Sequence, residues 1–228
     1  PSPKMQRTQG ETKKCLHVFE QTMQEGILPE KLAFLDVVSA CAIHGGLRSG
    51  KQKRGYDVLV KYPKDHRIFT RIAKQVHTHI LATKYAFDDV VNTALLNMNG
   101  KLNMLDSASV TFDMMSIRDV VAWTAIISVY AQQGKGMKVL QLHFQMMEEC
   151  VFPDEISFIS ILVACASAAS EKECRRIHVG VLNVNHEKNV TIGTALVNMY
   201  GKLGLLDMAL EVFDAMRARN VLTWSALI

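Results

Sequence analysis

Residues 190–228, VTIGTALVNMYGKLGLLDMALEVFDAMRARNVLTWSALI, decide the fold, because residues 89–127, DVVNTALLNMNGKLNMLDSASVTFDMMSIRDVVAWTAII, carry the same pattern 101 positions earlier. Aligned without a gap, the two stretches are identical at 19 of 39 positions, far above chance. Thr93-Ala94-Leu95 stands against Thr194-Ala195-Leu196, Gly100-Lys101-Leu102 against Gly201-Lys202-Leu203, Phe112-Asp113 against Phe213-Asp214, and Trp123 against Trp224. An internal repeat of this length points to a stacked-repeat architecture.

The period divides into helix–turn–helix units at 89–119, 120–154, 155–189 and 190–220, with 221–228 opening the next. In the first of these, Ala94, Leu95 and Met98 form one apolar face. Gly100-Lys101-Leu102 is the expected turn, and Leu105, Ala108, Phe112 and Met115 form a second face at spacings of three and four. Such a hairpin exposes an apolar face that only a neighbouring hairpin covers, so the units must stack.

Upstream, the register changes. Gly10, Lys14, Leu16, Gln21, Met23, Glu25 and Pro29 match Gly134, Lys138, Leu140, Gln145, Met147, Glu149 and Pro153 at an offset of 124, as Phe34 and Ala40-Cys41-Ala42 match Phe158 and Ala164-Cys165-Ala166. Val76-His77 returns to offset 101 against Ile177-His178. The difference of 23 places an insertion near 47–69, inside a unit at 31–88 that follows a partial unit at 1–30. Gly46, Gly50, Gly55 and Pro63 discourage a regular element there, so a solvated loop is expected, with Lys51-Gln-Lys-Arg54 within reach of phosphate.

The net charge of +4 suggests a polyanionic partner, but its distribution does not. Residues 43–71 hold eight Lys/Arg against Asp57 and Asp65, which leaves 18 basic and 20 acidic residues elsewhere. Nucleic-acid binding therefore cannot be argued from bulk charge. Val120–Tyr130 is too short for a membrane span. The five cysteines show neither zinc spacing nor an even count, and Cys41 and Cys165 are one packing position seen twice. The first residue, Pro1, and the apolar run interrupted at Ile228 read as the ends of a fragment.

Unequal units of 31, 35 and 35 residues do not suit the tetratricopeptide repeat, whose period is fixed and whose Trp-x-x-Leu-Gly-x-x-Tyr signature is absent. They resemble instead the plant pentatricopeptide repeat proteins of the subclass that mixes short, standard and long motifs. Thr194–Asn220 is similar to the short motif, Val120–Asp154 to the standard one and Phe158–Leu182 to the long one. The resemblance implies an all-α, right-handed α-solenoid of stacked helix–turn–helix repeats that binds single-stranded RNA, one base per unit.

It also implies that bases are read by the fifth and last residues of a unit. Those are Thr93 with Asp119, Thr124 with Asp154, Ile159 with Asn189, and Thr194 with Asn220; Ser225 is fifth in the final unit. The second residue sandwiches the base, and Val90, Val121, Ile156 and Leu222 suit that role, whereas Thr191 departs from it. Thr with Asp implies guanine and Thr with Asn adenine, giving 5′-G-G-N-A-3′ read parallel to the chain. Helix capping asks for the same residue types at the same places, and only their recurrence favours base reading. Trp123, Trp224, His77 and His178 read as packing residues.

No deaminase His-x-Glu with Pro-Cys-x-x-Cys, Walker loop or other catalytic motif occurs, so neither metal, cofactor nor catalysis is expected. The resemblance implies an organellar transcript in mitochondrion or chloroplast, with RNA-editing accessory proteins as further partners. A helical scaffold for protein partners is the alternative.

Overall fold

The computed structural model describes residues 14, 17–19, 21–27, 29–49, 63–168, 170–183 and 189–227, with side chains at these positions apart from 43–49 and 63–69. Among the described residues there are helices and turns and no strand. The helices are α1 (Lys31–Ser49), α2 (Pro63–Leu81), α3 (Asp89–Lys101), α4 (Leu105–Met114), α5 (Val120–Gln132), α6 (Gly136–Glu148), α7 (Glu155–Ala168), α8 (Glu171–Asn183), α9 (Val190–Lys202), α10 (Leu206–Ala215) and α11 (Val221–Leu227), with a 3-10 turn at Lys84–Phe87. They fall into two compact units, residues 1–118 and 119–228.

The first helices α3, α5 and α9 end by one device, a residue in the left-handed region. Asn103, Gly134 and Gly204 have φ of 59°, 66° and 73°. Each follows a helix whose last carbonyls are taken up by the turn: Met104 N–H donates to Asn99 O at 2.8 Å, Lys135 N–H to Tyr130 O at 3.0 Å, and Leu205 N–H to Tyr200 O at 3.0 Å. Paired with a second bond from the left-handed residue itself, this is the Schellman arrangement. The expected turn at Gly100-Lys101-Leu102 thus lies slightly too early. Gly100 and Lys101 belong to α3, because the left-handed residue that stops the helix is Asn103.

In the first unit α1 packs on α2 and α3, and α3 on α4. Phe34, Val37, Val38, Cys41, Ile72, Val76, Ile80, Val91, Leu95 and Met98 form its core, and Phe34 meets Phe19 and Tyr85 edge-on at 5.8 and 6.1 Å. In the second unit first helices pack on first helices, α5 on α7, α7 on α9 and α9 on α11. The second helices α6 and α10 fit against the first helix of the following hairpin, α7 and α11. Trp123, Ile126, Met146, Ile161, Leu162, Val197 and Tyr200 are buried there, each apolar side chain contributing about 2 kcal/mol of burial. Gly136 makes the α6–α7 approach possible: a Cβ on it would stand 2.6 Å from Ala164 O.

The expected loop near 47–69 is corrected at both ends. Gly46 lies within α1, which runs to Ser49, and Pro63 opens α2. The equivalent helices of the later long unit, α7 and α8, span 14 and 13 residues, whereas α1 and α2 each span 19. Part of the insertion therefore lengthens the two helices. Proline serves at the first helical position because the N–H it lacks would have had no partner there. Gly50, Gly55 and Lys51-Gln-Lys-Arg54 lie outside the described residues.

The recurrent histidines are packed in polar pairs. His178 Nδ1 lies 2.9 Å from Tyr200 Oη. At the equivalent place Asn99 replaces the tyrosine, and His77 Nε2 meets Thr111 Oγ1 at 3.0 Å instead. Cys41 and Cys165 are both buried. Trp123 is fully buried, while Trp224 packs on Phe213 at 4.8 Å but is 54% exposed.

Candidate nucleic-acid interface

The last residue of a repeat is also the N-cap of the next first helix. Asp88 Oδ1 accepts from Val91 N–H at 3.1 Å, Asp119 Oδ1 from Ala122 N–H at 2.9 Å, and Asp154 Oδ1 from Ser157 N–H at 2.8 Å. Asn189 Oδ1 accepts from Thr191 and Ile192 N–H at 2.8 and 3.3 Å, and Asn220 Oδ1 from Thr223 N–H at 2.9 Å. A helix start offers only donors, so an Asn cap must turn its oxygen inward and its Nδ2 outward. An Asp cap turns one oxygen inward and presents the other. Capping therefore makes the outward atom of Asp119 and Asp154 an acceptor and that of Asn220 a donor. Among the described residues none of these outward atoms forms a hydrogen bond.

Asp88 is the exception, since its Oδ2 binds Lys31 Nζ at 2.6 Å. Burial would raise its carboxyl, but the Lys31 ammonium and the N–H groups of Val91 and Val90 together hold it below the ordinary value. The last position of the 31–88 repeat is already spoken for.

Each fifth-position hydroxyl donates back to the first residue of its own helix. Thr93 Oγ1 bonds Asp89 O at 2.8 Å, Thr124 Oγ1 Val120 O at 2.6 Å, Thr194 Oγ1 Val190 O at 2.7 Å, and Ser225 Oγ Val221 O at 2.9 Å. Such back-bonding spends the hydroxyl proton on the helix and leaves the oxygen as an acceptor.

Two of the expected pairs are brought together within the second unit. Thr124 Oγ1 lies 3.2 Å from Asp154 Oδ1, 30 residues along the chain. Thr194 reaches Asn220 through Thr223: Thr194 Oγ1 to Thr223 Oγ1 is 2.7 Å, and Thr223 Oγ1 to Asn220 Oδ1 is 3.0 Å. Thr93 belongs to the first unit and Asp119 to the second, and each is described in its own. Ile159 is partly buried, and Thr194 is buried where Thr93 and Thr124 are only partly so. Val90, Val121, Ile156 and Leu222 are 50–69% exposed, although each sits beside a fully buried third residue, Val91, Ala122, Ser157 or Thr223. Exposed Thr191 occupies the same place in α9.

Ser157 and Thr223 were not among the residues singled out from sequence. Their signal was a hydroxyl at the third position of a unit, where the other units carry Val91, Ala122 and Ile192. Among the described residues no His/Cys/Asp/Glu group suits a metal ion, and no helix is long and apolar enough to cross a membrane.

Stacked helical hairpins, with polar pairs at the α5–α7 and α9–α11 joints, define a helical-repeat protein. A family model described as PPR repeat matches residues 121–151 and 194–221. The chloroplastic pentatricopeptide repeat-containing protein CRR2 of Arabidopsis thaliana is 34% identical over 157 residues, 68% of this chain and 24% of that protein. A putative mitochondrial pentatricopeptide repeat-containing protein of the same plant is 32% identical over 174 residues, 76% and 28%. The chain thus spans about a quarter of the length of these relatives. The crystal structure of PPR10 in complex with an 18-nt psaJ RNA element matches with a TM-score of 0.67 at 17% identity, covering 96% of this chain and 30% of that one, a likeness of fold. The chain belongs to the pentatricopeptide repeat proteins of the plant type.

Proposed function

We propose that this chain is a sequence-selective single-stranded RNA-binding module of organellar RNA metabolism. The observation that carries this reading is the meeting of Thr124 Oγ1 and Asp154 Oδ1 at 3.2 Å beside the exposed side chains of Val121 and Ile156. A base held between Val121 and Ile156 would present its edge to an acceptor-only Thr124–Asp154 pair. Guanine, with its N1–H and N2 amino donors, suits that pair. The Thr194–Asn220 pair, with an amide donor outward, suits adenine. The same fold in PPR10 holds an RNA element, which supports carrying that class of ligand over to this chain.

The full motif set then reads 5′-G-G-N-A-3′ from Thr93–Asp119, Thr124–Asp154, Ile159–Asn189 and Thr194–Asn220. Measured by fluorescence anisotropy at one fixed salt, a G-G-N-A oligonucleotide should bind about tenfold or more tightly than C-C-N-C. Equal affinities would remove the reading.

Within this proposal the chain belongs to the subclass mixing short, standard and long motifs, works in mitochondrion or chloroplast, and marks a transcript for editing, processing or stabilisation, with RNA-editing accessory proteins as partners. It acts as a recognition module rather than an enzyme. The second reading, a scaffold for protein partners, draws on the exposed apolar side chains of the second helices, Met137 in α6, Val179 in α8, and Leu206 and Leu210 in α10.

A further inference from the structure

Within each compact unit, the fifth residue of one repeat and the third residue of the next match in chemistry. Leu35 stands with Val91 and Ile159 with Ile192, whereas Thr124 stands with Ser157 and Thr194 with Thr223. The two hydroxyl pairs are in contact, Thr124 Oγ1 to Ser157 Oγ at 2.6 Å and Thr194 Oγ1 to Thr223 Oγ1 at 2.7 Å. Ser157 and Thr223 are themselves fully buried, so no ligand touches them.

The protons can be counted. Thr124 has one hydroxyl proton, and Val120 O and Asp154 Oδ1 only accept. The 2.6 Å bond to Val120 O takes that proton, so the 2.6 Å contact with Ser157 is made by Ser157 donating to Thr124. Ser157 also donates its backbone N–H to Asp154 Oδ1 at 2.8 Å. One buried residue therefore holds both base-reading groups, the threonine through its hydroxyl and the aspartate through its amide. Thr223 is placed alike, with its N–H on Asn220 Oδ1 at 2.9 Å and its hydroxyl between Thr194 and Asn220. Where the fifth residue is Ile159, which has no rotor to fix, the third residue of the next repeat is apolar Ile192.

We propose that the third residue of the following repeat is a positioning residue for base reading, Ser157 for the Thr124–Asp154 pair and Thr223 for the Thr194–Asn220 pair. The inference rests on the RNA-binding reading above. By fixing the threonine rotor, the buried hydroxyl leaves one lone pair of the fifth-residue oxygen directed outward. It thereby sharpens the choice between purines without touching the base.

The test measures purine preference at the second and fourth bases of G-G-N-A with the full chain, as affinity ratios at one salt concentration. The intact chain should favour guanine over adenine at the second base, and adenine over guanine at the fourth, by about tenfold each. Ser157→Ala should cut the second ratio to about threefold or less and leave the fourth unchanged; Thr223→Val should do the reverse. Ser157→Thr, which restores the hydroxyl, should keep both ratios. A hydroxyl that merely packs would lower the melting temperature in Ser157→Ala and leave its ratio intact, and that result in either folded variant overturns the proposal. If one variant does not fold by circular dichroism, the other decides. A chain that binds RNA with no preference at either base overturns the base-reading assignment itself and the proposal with it.

Discussion

Asp154 serves two masters with two oxygens. Its Oδ1 caps α7 through Ser157 N–H at 2.8 Å, a bond worth about 1 kcal/mol, while the other oxygen is the outward acceptor. On the proposed RNA-binding reading, capping and base reading are complementary uses of one side chain. Asp154→Asn separates them, because asparagine caps equally well but must turn its amide nitrogen outward. Thermal stability should hold, while the preference at the second base moves from guanine toward adenine in competition binding; an unchanged preference with RNA still bound would refute the assignment. The Asp and Asn at the ends of the units were legible in the sequence, and the family resemblance implied their role. Which of their atoms faces outward was not, since that follows from the donors at a helix start.

At the scale of the element, α3, α5 and α9 each end on one left-handed residue, and so do α6 and the helical turn at residues 21–24, whereas α4 and α10 end on the extended Met115 and Met216. Gly26 (φ 72°) closes the helix before Pro29, and the matching place 124 residues on is Cys150 (φ 58°). A side chain in that region costs on the order of 1 kcal/mol relative to glycine. Cys150 is exposed and its thiol meets Glu148 O only at a long 4.0 Å, so little is lost by removing it. Cys150→Gly should therefore raise the melting temperature by a few degrees, roughly what 1 kcal/mol does in a domain of this size. A fall on calorimetry would show that the turn is not strained. Helix periodicity was clear from Leu95, Met98, Ala108 and Phe112. Gly100 reads as a breaker in the sequence, yet Asn103 carries the positive φ, so the turn lies later. Pro63 and Gly46 misled in the same manner, since their effect depends on position within a helix.

For the molecule as a whole, the buried His77 and His143 and the partly buried His178 set an acid limit. Burial lowers His77 and His178, and burial aided by the Arg176 charge pushes His143 down to about 4. An unfolded chain binds these protons near pH 6.5 and the folded chain does not. Stability is therefore full above about pH 6.5 and is lost as pH falls toward the folded values. His143 alone should cost about 2 kcal/mol near pH 5. His143→Leu should shrink the difference in melting temperature between pH 7.5 and pH 5; an undiminished difference would place the acid sensitivity elsewhere.

The 101-residue period and the 124-residue offset determined the class of protein, because stacked repeats make local pattern and architecture the same information, while the positions proposed to read bases followed from the family resemblance. Bulk charge determined nothing about the ligand, its excess being confined to residues 43–71. Only the tertiary structure decided that Ser157 and Thr223 join the Thr124–Asp154 and Thr194–Asn220 pairs and that Asp88 is engaged by Lys31. These contacts link side chains 29 to 57 residues apart, and a hydrogen bond depends on angstrom-scale geometry that no spacing of residues specifies.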